Sequence, residues 1–426
     1  MAAQCGDGGG GVTILAELLS TVFERRYRTS ADKGRDDRSL EDLCQALIGS
    51  TGEMSGRTLA QRILDRYEAL PDDGKLAFFR HISSVMTFDP ARIRAALAAC
   101  EAEANGKTYG EFMAASEPPR QELIRRLNRA PGATHRLVRM RADLLRLATD
   151  EPLLQALDVD LKHLFVSWFN RGFLVLKPIS WESPAHVLGK IITYEAVHAI
   201  DSWDDLRRRL QPSDRRCFAF FHPAMPDEPL IFVEVALTSG VPGSIQQLLA
   251  EDRAPRDPED ADTAVFYSIS NCQAGLAGIS FGNSLIKQVA ADLSLQLPGL
   301  KTFVTLSPIP GLRRWLERQD EHPLPGDGER IRYLAARYLL TATRPDGLPL
   351  DPVARFHLGN GAIVQQVHAG ADTSAKGRAQ SAGAMVNYLY DLAKVSQNHE
   401  KYAATHQVAA SAELRALIGA GRKLSA

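Results

Sequence analysis

From Leu161 onward the chain alternates between two textures, and this alternation restricts its fold more than any other feature. Residues 173–176, 217–221, 230–237, 264–270 and 301–306 are short runs dense in β-branched and aromatic side chains. Such runs read as strands. Between them lie stretches with helical spacing at 184–195, 244–249, 283–296 and 311–318. Strands interleaved with helices predict a mixed α/β sheet. Residues 252–262 are polar, carry Pro255 and Pro258, and read as a surface loop.

The first 155 residues differ. They are rich in Ala, Leu, Arg and Glu, and all four tryptophans lie after residue 160. Between residues 12 and 27, Ile14, Leu15, Leu18, Leu19, Val22 and Phe23 form one apolar stripe at helical spacing. Ser39 with Asp42 offers a capping-type helix start. Residues 58–70 and 76–86 repeat the pattern, and 137–147 continue it with arginines expected on the outer face. Asp89-Pro90 and Pro118-Pro119 punctuate these helices. The expectation is an α+β protein. An all-helical bundle at 1–155, suited to packing or self-association, precedes a catalytic domain at 156–426.

Charge and cysteine usage narrow the function. The 426 residues hold 50 Lys+Arg against 51 Asp+Glu, a formal net charge of −1. That balance argues against a general nucleic-acid binder or a protein held to membranes by charge. The five cysteines are scattered and never spaced as CxxC, which fits a reducing compartment. No run of 18 apolar residues or signal-type leader is visible, so the expectation is cytoplasmic, with no membrane partner. No His/Cys/Asp/Glu spacing suggests a metal, and Gly106-Lys107-Thr108 lacks the upstream glycine of a phosphate-binding P-loop.

Three segments can carry chemistry. Gly278-Ile279-Ser280-Phe281-Gly282 fits G-x-S-x-G, the nucleophile elbow of serine hydrolases. The elbow needs a strand running straight into the serine, and residues 271–277 intervene and read as loop. The same segment also reads as a strand followed by a turn bearing Gly275, Gly278 and Gly282, then a helix. Glycines before a helix N-terminus let backbone N–H groups approach a pyrophosphate, although a plain tight turn has the same pattern. Ser307 precedes Pro308 and Pro310, which stiffen the loop that would hold its hydroxyl. His357 stands just before an Asn360-Gly361 turn. His198, expected on a helix, reads as a hydrogen-bonded core residue. His222 is a further rival.

In their order along the chain, these segments resemble the malonyl-CoA decarboxylase family. The resemblance rests on Phe266-Tyr-Ser-Ile-Ser270, Gln273-Ala-Gly-Leu-Ala-Gly278, Gly282 with Leu285-Ile-Lys287, Leu306-Ser-Pro-Ile-Pro-Gly311 and Phe356-His-Leu358 with Asn360-Gly361. It extends to Ser167-Trp-Phe-Asn170, Tyr194-Glu-Ala-Val-His198 and Asn387-Tyr-Leu-Tyr390, and in the helical region to Arg141-Ala-Asp-Leu-Leu145. The resemblance implies a catalytic domain of the GNAT acetyltransferase type and conversion of malonyl-CoA to acetyl-CoA and CO2. It also implies a homo-oligomer, a dimer or tetramer. Ser307 matches the family's catalytic serine and His357 its catalytic histidine. Gly275 and the run Ala277, Gly278, Ile279, Ser280, Phe281, Gly282 and Asn283 match the coenzyme A phosphate loop, and Ser268 and Tyr390 match positions lining the site. Some members carry Glu at the position of Ser280, so that serine is expected to contribute backbone only.

The chemistry agrees with these residue types. Losing CO2 from a malonyl thioester leaves an enolate whose electron sink is the thioester carbonyl. No separate cofactor is therefore expected, and the coenzyme A ester is itself the substrate. The protein must orient the carboxylate and return a proton to carbon, for which a histidine titrating near neutral pH suffices. A coenzyme A-dependent acyltransferase on the same fold, a serine hydrolase and an inactive acyl-CoA-binding protein remain alternatives.

Overall fold

The structure is a computed structural model that describes residues 36–148, 150–279, 285–323 and 326–421. The apolar stripe at 12–27 lies outside the described residues.

The helical region comprises α1 (Leu40–Gly49), α2 (Glu53–Glu68), α3 (Asp72–Val85), α4 (Pro90–Ala102), α5 (Gly106–Ser116), α6 (Pro119–Leu127), α7 (Ala133–Leu147) and α8 (Pro152–Trp168). Local chemistry sets the starts. The Ser39 hydroxyl accepts from the Asp42 amide while the Asp42 carboxylate accepts from the Ser39 amide, a reciprocal cap on α1. Asp89 caps α4, and proline occupies the first turn of α4, α6 and α8, where no amide partner is lost. Leu123, Leu137, Leu144, Leu154, Leu157 and Phe165 point into one core. Contrary to the expected outer face, Arg141 on α7 points inward and is 2% exposed. A buried guanidinium survives only when its donors are satisfied, and Asp158 pairs with it at 2.7 Å. Residue 155, where the sequence changes texture, falls inside α8.

The mixed sheet follows, with strands β1 (Val175–Ile179), β2 (Arg215–His222), β3 (Met225–Thr238), β4 (Thr263–Asn271), β5 (Thr302–Thr305), β6 (Ser307–Pro308), β7 (Ile363–His368) and β8 (Met385–Leu389). Their order is β1-β2-β3-β4-β5-β8-β6, with β7 also paired to β8. Neighbours from β1 to β4 are antiparallel, and β4 with β5 is parallel. The helices of this part are α9 (Ala185–Tyr194), α10 (Trp203–Leu210), α11 (Ile245–Leu248), α12 (Leu285–Gln296), α13 (Leu312–Arg318), α14 (Gly328–Thr341), α15 (Pro352–Gly359), α16 (Ala375–Ser381), α17 (Val395–Thr405) and α18 (Ala412–Gly421). One continuous core joins the helical region to one face of the sheet, and two smaller clusters cover the other face.

The expected succession of a helical region and a mixed sheet is present, with local corrections. Phe173 closes a one-turn 3-10 helix, and the strand begins at Val175. His198 lies in the loop after α9, not on the helix. The stretch from Asp372 forms the short α16 and then β8.

Two irregularities shape the sheet near its middle. The pairing of β3 with β4 slips at Tyr267, between Val235↔Phe266 and Glu234↔Ser268. Such a bulge turns the later residues of β4 onto the other face. Pairing of β4 with β5 also ends at Phe266↔Thr305, with a last bond from the Leu306 amide to the Phe266 carbonyl. Beyond it Ser307 pairs with Val386 of β8, so β4 and β6 part and leave a wedge.

Candidate active site

Ser307 lies on one wall of this wedge. Its strand is held by β8, and the Ile309 amide donates to Ser381 Oγ just beyond it. The Ser307 hydroxyl donates to Thr305 Oγ1 at 2.9 Å and lies 3.2 Å from His357 Nε2. With the serine proton directed at Thr305, the imidazole is the donor in the second contact, so its proton sits on Nε2. Nδ1 then accepts from the Tyr390 hydroxyl at 2.8 Å. The result is a directed chain from Tyr390 through His357 and Ser307 to Thr305.

His357 reaches this point because α15 is fixed at both ends. Asp351 caps its first turn with bonds to the amides of Val353 and Ala354, and Pro352 occupies the first turn. The amides of Asn360, Gly361 and Ala362 close the C-terminal turn. The ring stacks on Tyr388 with centroids 4.4 Å apart, and Phe356 meets its edge. Side chains in β8 face both sides, because the strand is covered on each. Tyr388 and Asn387 brace Thr305 through the Tyr388 amide to Thr305 Oγ1 at 3.1 Å and Asn387 Nδ2 to the Thr305 carbonyl at 2.7 Å.

Burial sets the electrostatics. Removal from water lowers the His357 pKa from 6.5 to about 3, so the ring is neutral in the folded protein. The sequence reading expects a histidine titrating near neutral. The difference arises because no carboxylate among the described residues faces the ring to offset its desolvation.

Ser268 occupies the other wall, in a separate network. Its hydroxyl donates to Glu195 Oε2 at 2.6 Å, and Ser270 lies 3.3 Å from the same oxygen. The second Glu195 oxygen accepts from the amides of Val197 and His198. Beneath it Glu234 is wholly buried, and Arg209 approaches it at 3.4 Å. Burial and the Glu195 charge push the Glu234 carboxyl up to about 8, against the opposing pull of Arg209.

Gly275, Ala277, Gly278 and Ile279 form a turn that follows the end of β4. Ser280, Phe281, Gly282 and Asn283 lie outside the described residues. The strand ends at Asn271 and a 3-10 turn spans Ala274–Leu276, so no strand runs into Ser280 as a hydrolase elbow requires. The structure thus brings Ser307, His357 and Tyr390 into one network, and sets Ser268 across the wedge and the glycine turn at its mouth.

Sequence reasoning missed Thr305, Tyr388, Glu195 and Arg141. Glu195 stood in a quoted motif without a role. Thr305 is two residues from Ser307 on an extended segment, and that spacing places both side chains on one face. Tyr388 and Arg141 likewise stood in quoted motifs without a role.

Among the described residues, no group of three or more His, Cys, Asp and Glu is placed to hold a metal ion, and no helix is long and apolar enough to cross a membrane.

Comparison with known proteins agrees with this layout. The family model for the malonyl-CoA decarboxylase C-terminal domain matches residues 172–325 and 328–425, and that for the N-terminal domain matches 87–169. The mitochondrial malonyl-CoA decarboxylase of Anser anser anser is 36% identical over 351 residues, which cover 71% of this chain and 69% of the goose protein. The crystal structure of malonyl-CoA decarboxylase from Rhodopseudomonas palustris is similar at 48% identity and a TM-score of 0.83, covering 88% of this chain and 98% of that one. The corresponding structure from Agrobacterium vitis shows 47% identity, a TM-score of 0.83 and coverage of 89% and 99%. With both family models matched in order across the two regions, the chain belongs to the malonyl-CoA decarboxylase family.

Proposed function

We propose that the protein is a carboxy-lyase that converts malonyl-CoA to acetyl-CoA and CO2, with the wedge between β4 and β6 holding the thioester arm. The parted edge of β4 offers unpaired backbone groups to an extended amide-bearing chain, as an added strand would use them. The glycine turn at the end of β4 receives the phosphates. The GNAT-type reading of the domain rests on this parting of strands.

The single observation that carries the reading is the Tyr390–His357–Ser307 chain ending at the wedge. When the carboxylate leaves, the C–C bond pair passes to the α-carbon and the thioester oxygen, and CO2 departs. The enolate then takes a proton from His357 Nε2–H through the Ser307 hydroxyl. Tyr390 resupplies Nδ1, and solvent restores the lost proton. A neutral imidazole suits this relay, and the negative charge left by the departing CO2 passes to the buried Tyr390 oxygen until solvent reprotonates it. Ser268 and its Glu195 network line the opposite wall. No cofactor beyond the substrate's own coenzyme A enters these steps.

The test is to incubate the purified protein with malonyl-CoA alone and measure acetyl-CoA and CO2. Release without any added acceptor is expected, and Ser307→Ala should lower kcat by roughly 10²-fold or more. Absence of both products sinks the reading, whereas turnover only with an amine or alcohol acceptor makes the protein an acyltransferase.

The same proposal includes self-assembly as a dimer or tetramer through the helical region, residues 1–155, with residues 156–426 catalytic. In its support, α4 has no buried residue, and Leu97, Tyr109 and Met113 on the α4–α5 hairpin are exposed. Scattered cysteines support a reducing, cytoplasmic setting, and the curated relatives from goose, mouse and rat are described as mitochondrial.

A further inference from the structure

The glycine turn after β4 is built against the helical region. Gly275 has no side chain, and a Cβ there would fall 1.8 Å from the Val138 carbonyl oxygen of α7. Arg141, one turn on, donates from Nη1 to the carbonyls of Gly275 at 2.7 Å and Ala277 at 2.9 Å. Its Nε and Nη2 hold Asp158 of α8 at 2.7 and 3.3 Å. One buried guanidinium therefore ties α7, α8 and the turn together. Two of the turn's carbonyls are thereby drawn toward the helices, and the amides of Leu276, Ala277 and Ile279 are bonded within the turn itself.

A cation of α8 stands beside the turn. Gly278 has φ +75°, and a Cβ there would lie 3.2 Å from Lys162 Nζ of α8. Lys162 is exposed and forms no ion pair among the described residues. Lys287, in the first turn of α12, also lacks a paired carboxylate there, as does Arg171. Burial and the nearby Arg171 charge lower the Lys287 pKa, against the opposing charge of Glu400. A lysine ammonium beside a glycine turn fits a ligand of high negative charge.

We propose that the helical region forms part of the substrate site, with Lys162 binding a phosphate group of the coenzyme A ester and Arg141 acting as the positioning residue that holds the turn. This rests on the reading that the substrate is a coenzyme A thioester. It assigns the helical region a task beyond self-assembly, because Lys162 on α8 adds its charge beside the turn that follows β4.

The experiment uses the full chain carrying Lys162→Met or Arg141→Lys. Coenzyme A affinity is measured by calorimetry. KM and kcat are measured with malonyl-CoA and with malonyl-N-acetylcysteamine, a thioester without phosphates. Lys162→Met should weaken coenzyme A binding roughly tenfold, in line with loss of one charge-assisted contact. The loss should fall on KM for malonyl-CoA and be at least about fivefold smaller on the short thioester. Arg141→Lys, which keeps the charge but not the fork, should show the same split. Unchanged coenzyme A affinity in Lys162→Met, or equal losses on both thioesters, overturns the proposal. Failure of the decarboxylase reading shows separately, as wild-type protein that binds coenzyme A and releases no CO2.

Discussion

His357 is 2% exposed, bonded at both ring nitrogens and stacked on Tyr388, and these contacts decide its protonation. Its folded pKa of about 3 lies below the unfolded value near 6.5. As pH falls from 6.5 toward 3, the unfolded chain takes up a proton that the native ring refuses, so stability is lost over that window. Each pH unit within it costs about 1.4 kcal/mol from this group alone. The expected outcome is that the urea midpoint of wild-type protein falls more steeply between pH 6.5 and pH 4.5 than that of His357→Asn. Parallel slopes would show that the imidazole is not held neutral. Legibility at this scale was uneven. Ser307 and His357 were readable from stiffened, turn-bounded motifs. Tyr388 and Glu195 were not, because their partners Thr305 and Ser268 lie 83 and 73 residues away, and Thr305 draws its role from Ser307, whose own role had first to be seen.

Among the elements, α15 and β8 carry the site, and they differ in how openly the sequence announces them. The end of α15 is legible. Asn360-Gly361 is a turn signal, and Gly361 has φ +83° with its Cβ position 2.0 Å from the Val395 carbonyl oxygen. Gly361→Ala combines left-handed strain with a backbone clash and should cost about 2–4 kcal/mol. Activity should fall as well, since the turn seats His357. Chemical denaturation and turnover check this, and a loss below about 0.5 kcal/mol would mean the turn relaxes freely. By contrast β8 is buried on both faces, so Met385-Val-Asn-Tyr-Leu389 shows no alternation of apolar and polar residues. A short apolar run without that period reads equally as helix or strand, and so it was missed. Strands β2 to β5 were found because their β-branched and aromatic runs are bounded by clear turn residues.

For the molecule as a whole, the α4–α5 hairpin adds little to the core, since α4 has no buried residue. Its exposed Leu97, Tyr109 and Met113 fit an interface between copies of this chain. Light scattering on the eluting protein should give a dimer or tetramer, and Leu97→Glu with Met113→Glu should shift it toward monomer while the circular dichroism spectrum stays unchanged. A wild-type monomer at micromolar concentration, or an unaltered assembly in the double variant, removes the hairpin from self-association.

The sequence by itself determined the order of textures: a helical region first, then a mixed sheet, with a glycine turn after one strand and Ser307 and His357 in stiff motifs. These follow from periodicity, turn chemistry and the resemblance, all of which act over a few neighbouring residues. Tertiary structure decided the rest. It opened the wedge by ending the β4–β5 pairing at Phe266, and it neutralised His357 by burial. It also turned Arg141 inward to grip a loop 134 residues away. Those outcomes depend on which distant groups exclude water or share hydrogen bonds, and nearest neighbours in a chain do not encode that.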